Sequence, residues 1–396
     1  MTVASNNVAS NTAAAAESII PAGSRAERFT GYDVEAFEVP RGREENWRFT
    51  PMKRLRGLHD GSAIASGEVK VDAEAAPEVR VETVGREDAR LGKAGEPSDR
   101  IAAQAYSSFT SATIVTVPQE TRASKPTVIR LTGPGEGNVA FGHVQVRAEA
   151  FAEAAVVLDH VGSGTYADNV EFVIGEGAKL TVVSVQDWAD DAVHVSEQHL
   201  ALGKDAALTH IVVTLGGDLV RISPTATFGD RGGEVEMLGL YFADAGQHQE
   251  HRLFVDHAVP GCKSNVMYKG ALQGSEGQPE AHTIWIGDVL IRAEAEGTDT
   301  YELNRNLVLS AGARADSVPN LEIETGEILG AGHASATGRF DDEQLFYLQS
   351  RGIEEESARR LVVRGFFHEI LMKIGIPEVR ERLVAAIETE LEAVGS

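Results

Sequence analysis

The chain has 396 residues, 42% of them hydrophobic, and 60 acidic against 36 basic side chains, for a formal net charge of −24. That balance excludes a sequence-independent nucleic-acid binder, which needs clustered Lys and Arg, and the single cysteine, Cys262, excludes an internal disulfide, a CxxC redox pair and a cysteine-rich metal site. No apolar run reaches the ~18 residues that cross a bilayer and the N-terminus lacks a secretion signal, so a cytoplasmic protein without a membrane partner is expected.

Residues 1–24 are rich in Ala, Ser and Asn and read as a disordered tail. Residues 25–111 carry an aromatic group at Trp47 and Phe49 followed by Lys53, Arg54 and Arg56, then mixed acidic sequence. A small α+β or helical domain is expected there, with a last short helix over 101–106. From Ala112 the pattern changes to β-branched, partly alternating runs at 113–117, 127–131, 143–150, 154–161, 169–174, 179–186, 207–215, 234–242 and 283–295. Small-residue turns recur between them at 152–154, 175–178, 203–206 and 229–232, roughly 25 residues apart. Short strands with small corners at that period favour a coiled β-solenoid over an ordinary sandwich. This core is expected over 112–330.

Residues 331–396 read as a helical domain. Asp341 or Asp342 caps a short helix through Ser350, and Gly352 ends it. A longer helix from Glu354 carries the stripe Ala358, Leu361, Val362, Phe366, Ile370 and Ile374. Gly375 ends it, and Pro377 opens a last helix with Val379, Leu383, Ile387 and Leu391 on one face and Glu378, Glu381, Glu388 and Glu390 on the other. Between the β-body and this tail, His333 lies in a small-residue stretch, Gly330 to Gly338, that reads as a loop. An uncrowded imidazole there suits a metal ligand or a proton acceptor, and equally a plain surface residue.

Other chemistry is weakly marked. His248, His251 and His257 invite a mononuclear metal site. In a strand, however, His248 and His251 face opposite ways, and His251 and His257 lie about 20 Å apart. Inter-coil stacking is the plainer reading. Cys262 sits in the turn Pro260-Gly261-Cys262-Lys263, where a lysine could activate a thiol; no nucleophile signature surrounds it. Gly162-Ser163-Gly164 lacks the spacing of a nucleophile elbow. No phosphate-binding glycine loop is present, so the chain itself is not expected to hydrolyse ATP.

Several stretches resemble the SufB/SufD family, scaffold subunits of the SUF iron–sulfur cluster assembly system. They are Val255-Asp256-His257 with Tyr268-Lys269-Gly270, Glu302 through Leu307 (ELNRNL), Pro319 through Ile323 (PNLEI), His333 with Gly338, Asp341 through Ile353, and Glu45 through Pro51 (ENWRFTP). The resemblance implies a right-handed parallel β-helix between an N-terminal and a C-terminal helical domain, and a scaffold, not an enzyme. It points to a SufD-like subunit, because SufB is expected to supply cysteine and only Cys262 is available. It further implies a SufB partner and a SufC-like ABC ATPase docked on the C-terminal helices, with Phe340, Leu345, Phe346, Tyr347, Arg351, Phe366 and Phe367 as contact candidates. His333 would help hold a transient cluster shared with SufB; no stable cofactor is implied for the lone chain, and homodimerisation without SufB stays open. Ala331 stands where SufD chains often carry a second ligand, a cysteine. The competing readings are a β-helical carbohydrate-active enzyme, which needs paired carboxylates in a groove, the mononuclear metal enzyme on His248, His251 or His257, and a SufB-like homodimeric scaffold.

Overall fold

The computed structural model describes residues 28–340 and 342–392. The tail expected over residues 1–24 lies outside them. Ahead of the core come strands β1 (Lys70–Glu74) and β2 (Arg80–Gly85) and helix α1 (Arg100–Ser108). The core runs through β3 (Ser111–Val117), β4 (Thr127–Thr132), β5 (Val139–Ala148), β6 (Glu153–Gly162), β7 (Thr165–Ile174), β8 (Lys179–Trp188), β9 (Val193–Leu202), β10 (Ala207–Thr214) and β11 (Leu219–Phe228). It continues through β12 (Glu234–Ala243), β13 (His248–His257), β14 (Lys263–Leu272), β15 (Ala281–Ile291), β16 (Asp299–Val308), β17 (Ala313–Ile323) and β18 (Gly330–Arg339). Helices α2 (Asp342–Ser350), α3 (Glu355–Lys373) and α4 (Pro377–Glu392) follow.

The strands alternate between two sheets. One has the order β1-β4-β6-β8-β10-β12-β14-β16-β18, the other β17-β15-β13-β11-β9-β7-β5-β3-β2. All core pairings are parallel; only β1 with β4 and β2 with β3 run antiparallel. The fold is therefore the expected β-solenoid, in which each coil gives one strand to each sheet. The two antiparallel strands lie beyond its first coil and take up the backbone groups that a free edge would expose.

The corners explain the recurrence of small residues. Ala152, Ala178, Ala206, Cys262 and Thr298 each precede a strand of the first sheet at the same register, and all are buried. A larger side chain there would hold neighbouring coils apart. Another device locks β12 to β14. Gly239 pairs with Tyr268 and Tyr241 with Gly270, so each tyrosine ring lies across the other strand's glycine.

Both outer faces are covered. Val157, Val183, Ile211 and Leu238 point out of the first sheet onto Val363, Phe367, Ile370, Ile374, Leu383 and Ile387 of α3 and α4. The second sheet turns Ala167, Val193, Val195 and Leu219 toward Trp47, Leu55, Leu58, Ile101 and Ala105 of the N-terminal region. Strands covered on both faces are buried almost continuously instead of alternating.

Two expectations need correcting. The stripe of α3 is rotated: Val363 and Phe367 are buried, while Leu361 is half-exposed. Its run of adjacent apolar residues from Leu361 to Val363 and at Phe366 and Phe367 satisfies either helical face, and packing onto the sheet decides between them. The segment 330–338 is not a loop but β18, because its small residues extend the ladder of β16. No helix of the described residues is long and apolar enough to cross a membrane.

Candidate functional site

The last coil is built unlike the others. In β16 the alternation of ELNRNL sends Glu302, Asn304 and Asn306 inward and Leu303, Arg305 and Leu307 outward. The interior is therefore polar where earlier coils hold Val, Leu and Phe. Asn304 Nδ2 donates to Tyr241 Oη at 2.9 Å, and Tyr241 Oη donates to Asn306 Oδ1 at 2.6 Å. Ser317 Oγ, on β17, donates to Asn304 Oδ1 at 2.6 Å. Asn306 Nδ2 reaches Thr337 Oγ1 of β18 at 3.3 Å. These bonds satisfy groups that would otherwise be costly to bury.

β17 and β18 are the terminal strands of their sheets, and most of their residues are half-buried or exposed. Their outer backbone groups pair with no other strand among the described residues, a ready template for another strand. His333 stands on β18 in register with Glu302 of β16 and is exposed. Ala331, two residues earlier, packs against the core margin and offers no ligand atom. The alternating polar residues of ELNRNL are the signal that sequence reasoning missed: read as strand, they announce a wet interior next to His333.

The helical residues divide. Phe346 is 72% exposed and Tyr347 54% exposed, with the Arg351 guanidinium 5.0 Å over the Tyr347 ring. Phe340 is half-buried beneath Arg359, 4.8 Å away, and Phe366 is half-buried 5.6 Å from Lys269 Nζ. Leu345 and Phe367 are buried, so they support the helices from beneath and offer no surface.

The other sequence candidates do not assemble. Cys262 fills the buried corner position, its Sγ 3.6 Å from the carbonyl of Asp230, and burial pushes its thiol up. A thiolate is thereby disfavoured. His248 lies under the N-terminal region beside Glu250, His251 stacks on Tyr241 at 4.9 Å inside the solenoid, and His257 stacks on Phe228 at 4.8 Å. The three share no centre. A groove of about 810 Å³ runs along the first sheet, and its Glu153 and Glu234 are ion-paired with Arg122 at 3.3 Å and Lys263 at 3.2 Å.

Comparison with known proteins gives one consistent answer. Residues 130–366 match the family model described as SUF system FeS cluster assembly, SufBD core domain. The chain is 65% identical to an iron–sulfur cluster assembly SufBD family protein of Mycobacterium tuberculosis, over 95% of both chains. It is 26% identical to the iron–sulfur cluster assembly protein SufD of Bacillus subtilis, over 70% of this chain and 63% of that one. The SufD of Escherichia coli is 23% identical over 89% of each.

Proposed function

Since the chain belongs to the SufBD family of iron–sulfur cluster assembly proteins, we propose that it is the SufD-like scaffold subunit of a cytoplasmic SUF complex, acting without enzymatic turnover of its own. It pairs with a SufB-like subunit through the open strands β17 and β18. A SufC-like ABC ATPase docks on the C-terminal helices. His333 helps hold the nascent cluster, which is cargo and not a resident cofactor.

The observation that carries this reading is the terminal coil: two strand edges without a partner strand among the described residues, with an exposed imidazole beside them. A strand edge recruits another backbone, and an imidazole on that edge meets whatever the partner brings. The exposed pair Phe346 and Tyr347 supports the ATPase surface, since aromatic side chains of this kind anchor interfaces. A single buried cysteine suits a subunit that relies on its partner for thiolate ligands. Likeness to chains named SufD favours this arm of the family.

Co-expression of the tagged chain with SufB and SufC candidates, followed by native mass measurement, tests the assembly. A ternary complex is expected for wild type and for His333→Ala, with cluster formation lost only in the variant. Equal cluster formation by both would reduce His333 to a surface residue. No complex at all would overturn the scaffold reading.

A further inference from the structure

A second polar group lies in the solenoid interior, at the end opposite His333. His160 is on β6, Asp168 on β7 and His194 on β9; all three point inward and are at most 1% exposed. The corner Gly162-Ser163-Gly164 turns the chain back, with φ of +89° and +110° at its glycines, and so brings His160 against Asp168. The next coil supplies His194 by register with Tyr166. Each residue offers one ligand atom, and these atoms lie within 4.8 Å of one another.

The surrounding hydrogen bonds orient the two rings. Trp188 Nε1 can only donate, and it lies 2.8 Å from Gln186 Oε1, so that atom is the amide oxygen. His194 Nδ1, 2.8 Å from the same oxygen, therefore carries a proton. Nε2 faces Asp168 Oδ1 at 3.3 Å, so a proton or a metal ion lies between these two atoms. His160 Nδ1 lies 3.1 Å from the carbonyl oxygen of Val185 and 3.2 Å from Gln186 Nε2, so both of its hydrogen-bond contacts fall on that one nitrogen. Asp168 Oδ2 is buried with no hydrogen bond of normal geometry.

We propose that His160, Asp168 and His194 bind one first-row divalent metal ion inside the first coils of the solenoid. Two imidazoles and a carboxylate form a borderline N₂O set suited to Zn²⁺, Fe²⁺ or Co²⁺. Gln186 is the positioning residue, because it orients the ring of His194. A cavity of about 640 Å³ lies between the N-terminal region and the first coils. Tyr166 forms the wall between that cavity and the site; its ring stacks on His194 at 5.1 Å and 11°.

The test uses the full chain, stripped with chelator and titrated with Co²⁺ and, separately, with Zn²⁺. Trp188 lies 5.1 Å from His194, so bound Co²⁺ is expected to quench its emission at one equivalent, with Zn²⁺ reversing the quench. Asp168→Asn and His194→Asn are expected to lose the ion while keeping the wild-type circular dichroism. Gln186→Ala is expected to bind about 10–100-fold more weakly. No stoichiometric binding by wild type, even when refolded with the metal, would overturn the proposal, and so would equal affinity in the two ligand variants. Should those variants misfold, Trp188→Phe decides: an ion retained with the quench lost supports the site, and an unchanged quench puts the ion elsewhere and overturns it.

Discussion

Thr50 Oγ1 donates a 2.7 Å hydrogen bond to Glu250 Oε2, joining residues two hundred positions apart. Glu250 is fully buried and also meets Arg252 at 3.2 Å and Arg221 at 3.4 Å. Arg221 lies 3.9 Å over the Trp47 ring and reaches Asp99, which caps α1 through Ala102 N. The ENWRFTP stretch is thus the fastening between the N-terminal region and the second sheet. Glu250→Gln removes the carboxylate that pairs the buried Arg252, while Arg221 keeps Asp99, and is expected to cost about 3–5 kcal/mol in denaturant unfolding. Thr50→Ala is expected to cost about 1.5–3 kcal/mol. Burial alone would raise the Glu250 carboxyl, but His248, Arg221 and Arg252 override it and hold it well below the carboxylate range. Its contribution is therefore present above the unfolded value near ~4.3 and is lost as pH falls below that. An acid melt that is unchanged in Glu250→Gln would contradict this.

The two tyrosine–glycine pairs give a packing prediction. A methyl group at Gly270 would fall inside the ring of Tyr241. Gly270→Ala is expected to destabilise by about 1–3 kcal/mol, and to cost less than that when introduced into a Tyr241→Leu background. Additive costs in the double variant would show that the ring and the glycine are not coupled.

Core and surface aromatics in the tail separate cleanly. Phe367→Ala empties a fully buried site and is expected to cost about 3–5 kcal/mol. Phe346→Ala changes an exposed side chain and should stay within ~0.5 kcal/mol. If Phe346 belongs to the proposed ATPase surface, its variant folds normally and loses the complex in native mass measurement. A normally folded variant that keeps full binding would remove Phe346 from that surface.

The last helix carries a proton-dependent tie. Glu390 was expected on the outer face of α4; instead it is half-buried and hydrogen-bonds Asp244 at the end of β12. Burial and the Asp244 and Asp190 carboxylates push Glu390 up to about 8. Between the unfolded value of ~4.3 and about 8, only the folded chain holds this proton. The stability it supplies is complete below the lower value and is lost as pH rises through the upper one. Hydrogen exchange in α4 is therefore expected to accelerate from pH 7 to 9, beyond the chemical rate increase, in wild type and not in Glu390→Gln. Identical profiles would remove the tie.

Legibility in the sequence followed burial chemistry. The middle of the first sheet was readable because its strands are apolar on both faces; the runs at 179–186, 207–215 and 234–242 match β8, β10 and β12 within two residues. β9, β11 and β13 escaped because they carry His194, Ser196 and Gln198, or Arg221, or Glu250 and Arg252, all buried but partnered across the chain. Periodicity reports apolar burial and is silent about polar burial. The same silence hid the wet coil around Asn304 and Asn306, and turned β18, with its alanines and glycines, into an apparent loop. His333 was found through its place in a family pattern, and its position on a strand edge only through the ladder to β16.

In a one-dimensional stack each repeat is held by its two neighbours, and among the described residues the coil of β17 and β18 has only one. Its interior is joined by hydrogen bonds, with little hydrophobic burial to hold it when water enters. Thermal fraying should therefore begin at this coil and travel toward β12, while the N-terminal end, closed by β1 and β2, melts last. Any partner seated on the edge becomes the missing neighbour, so occupancy of that edge and order in the coil bearing His333 rise and fall together.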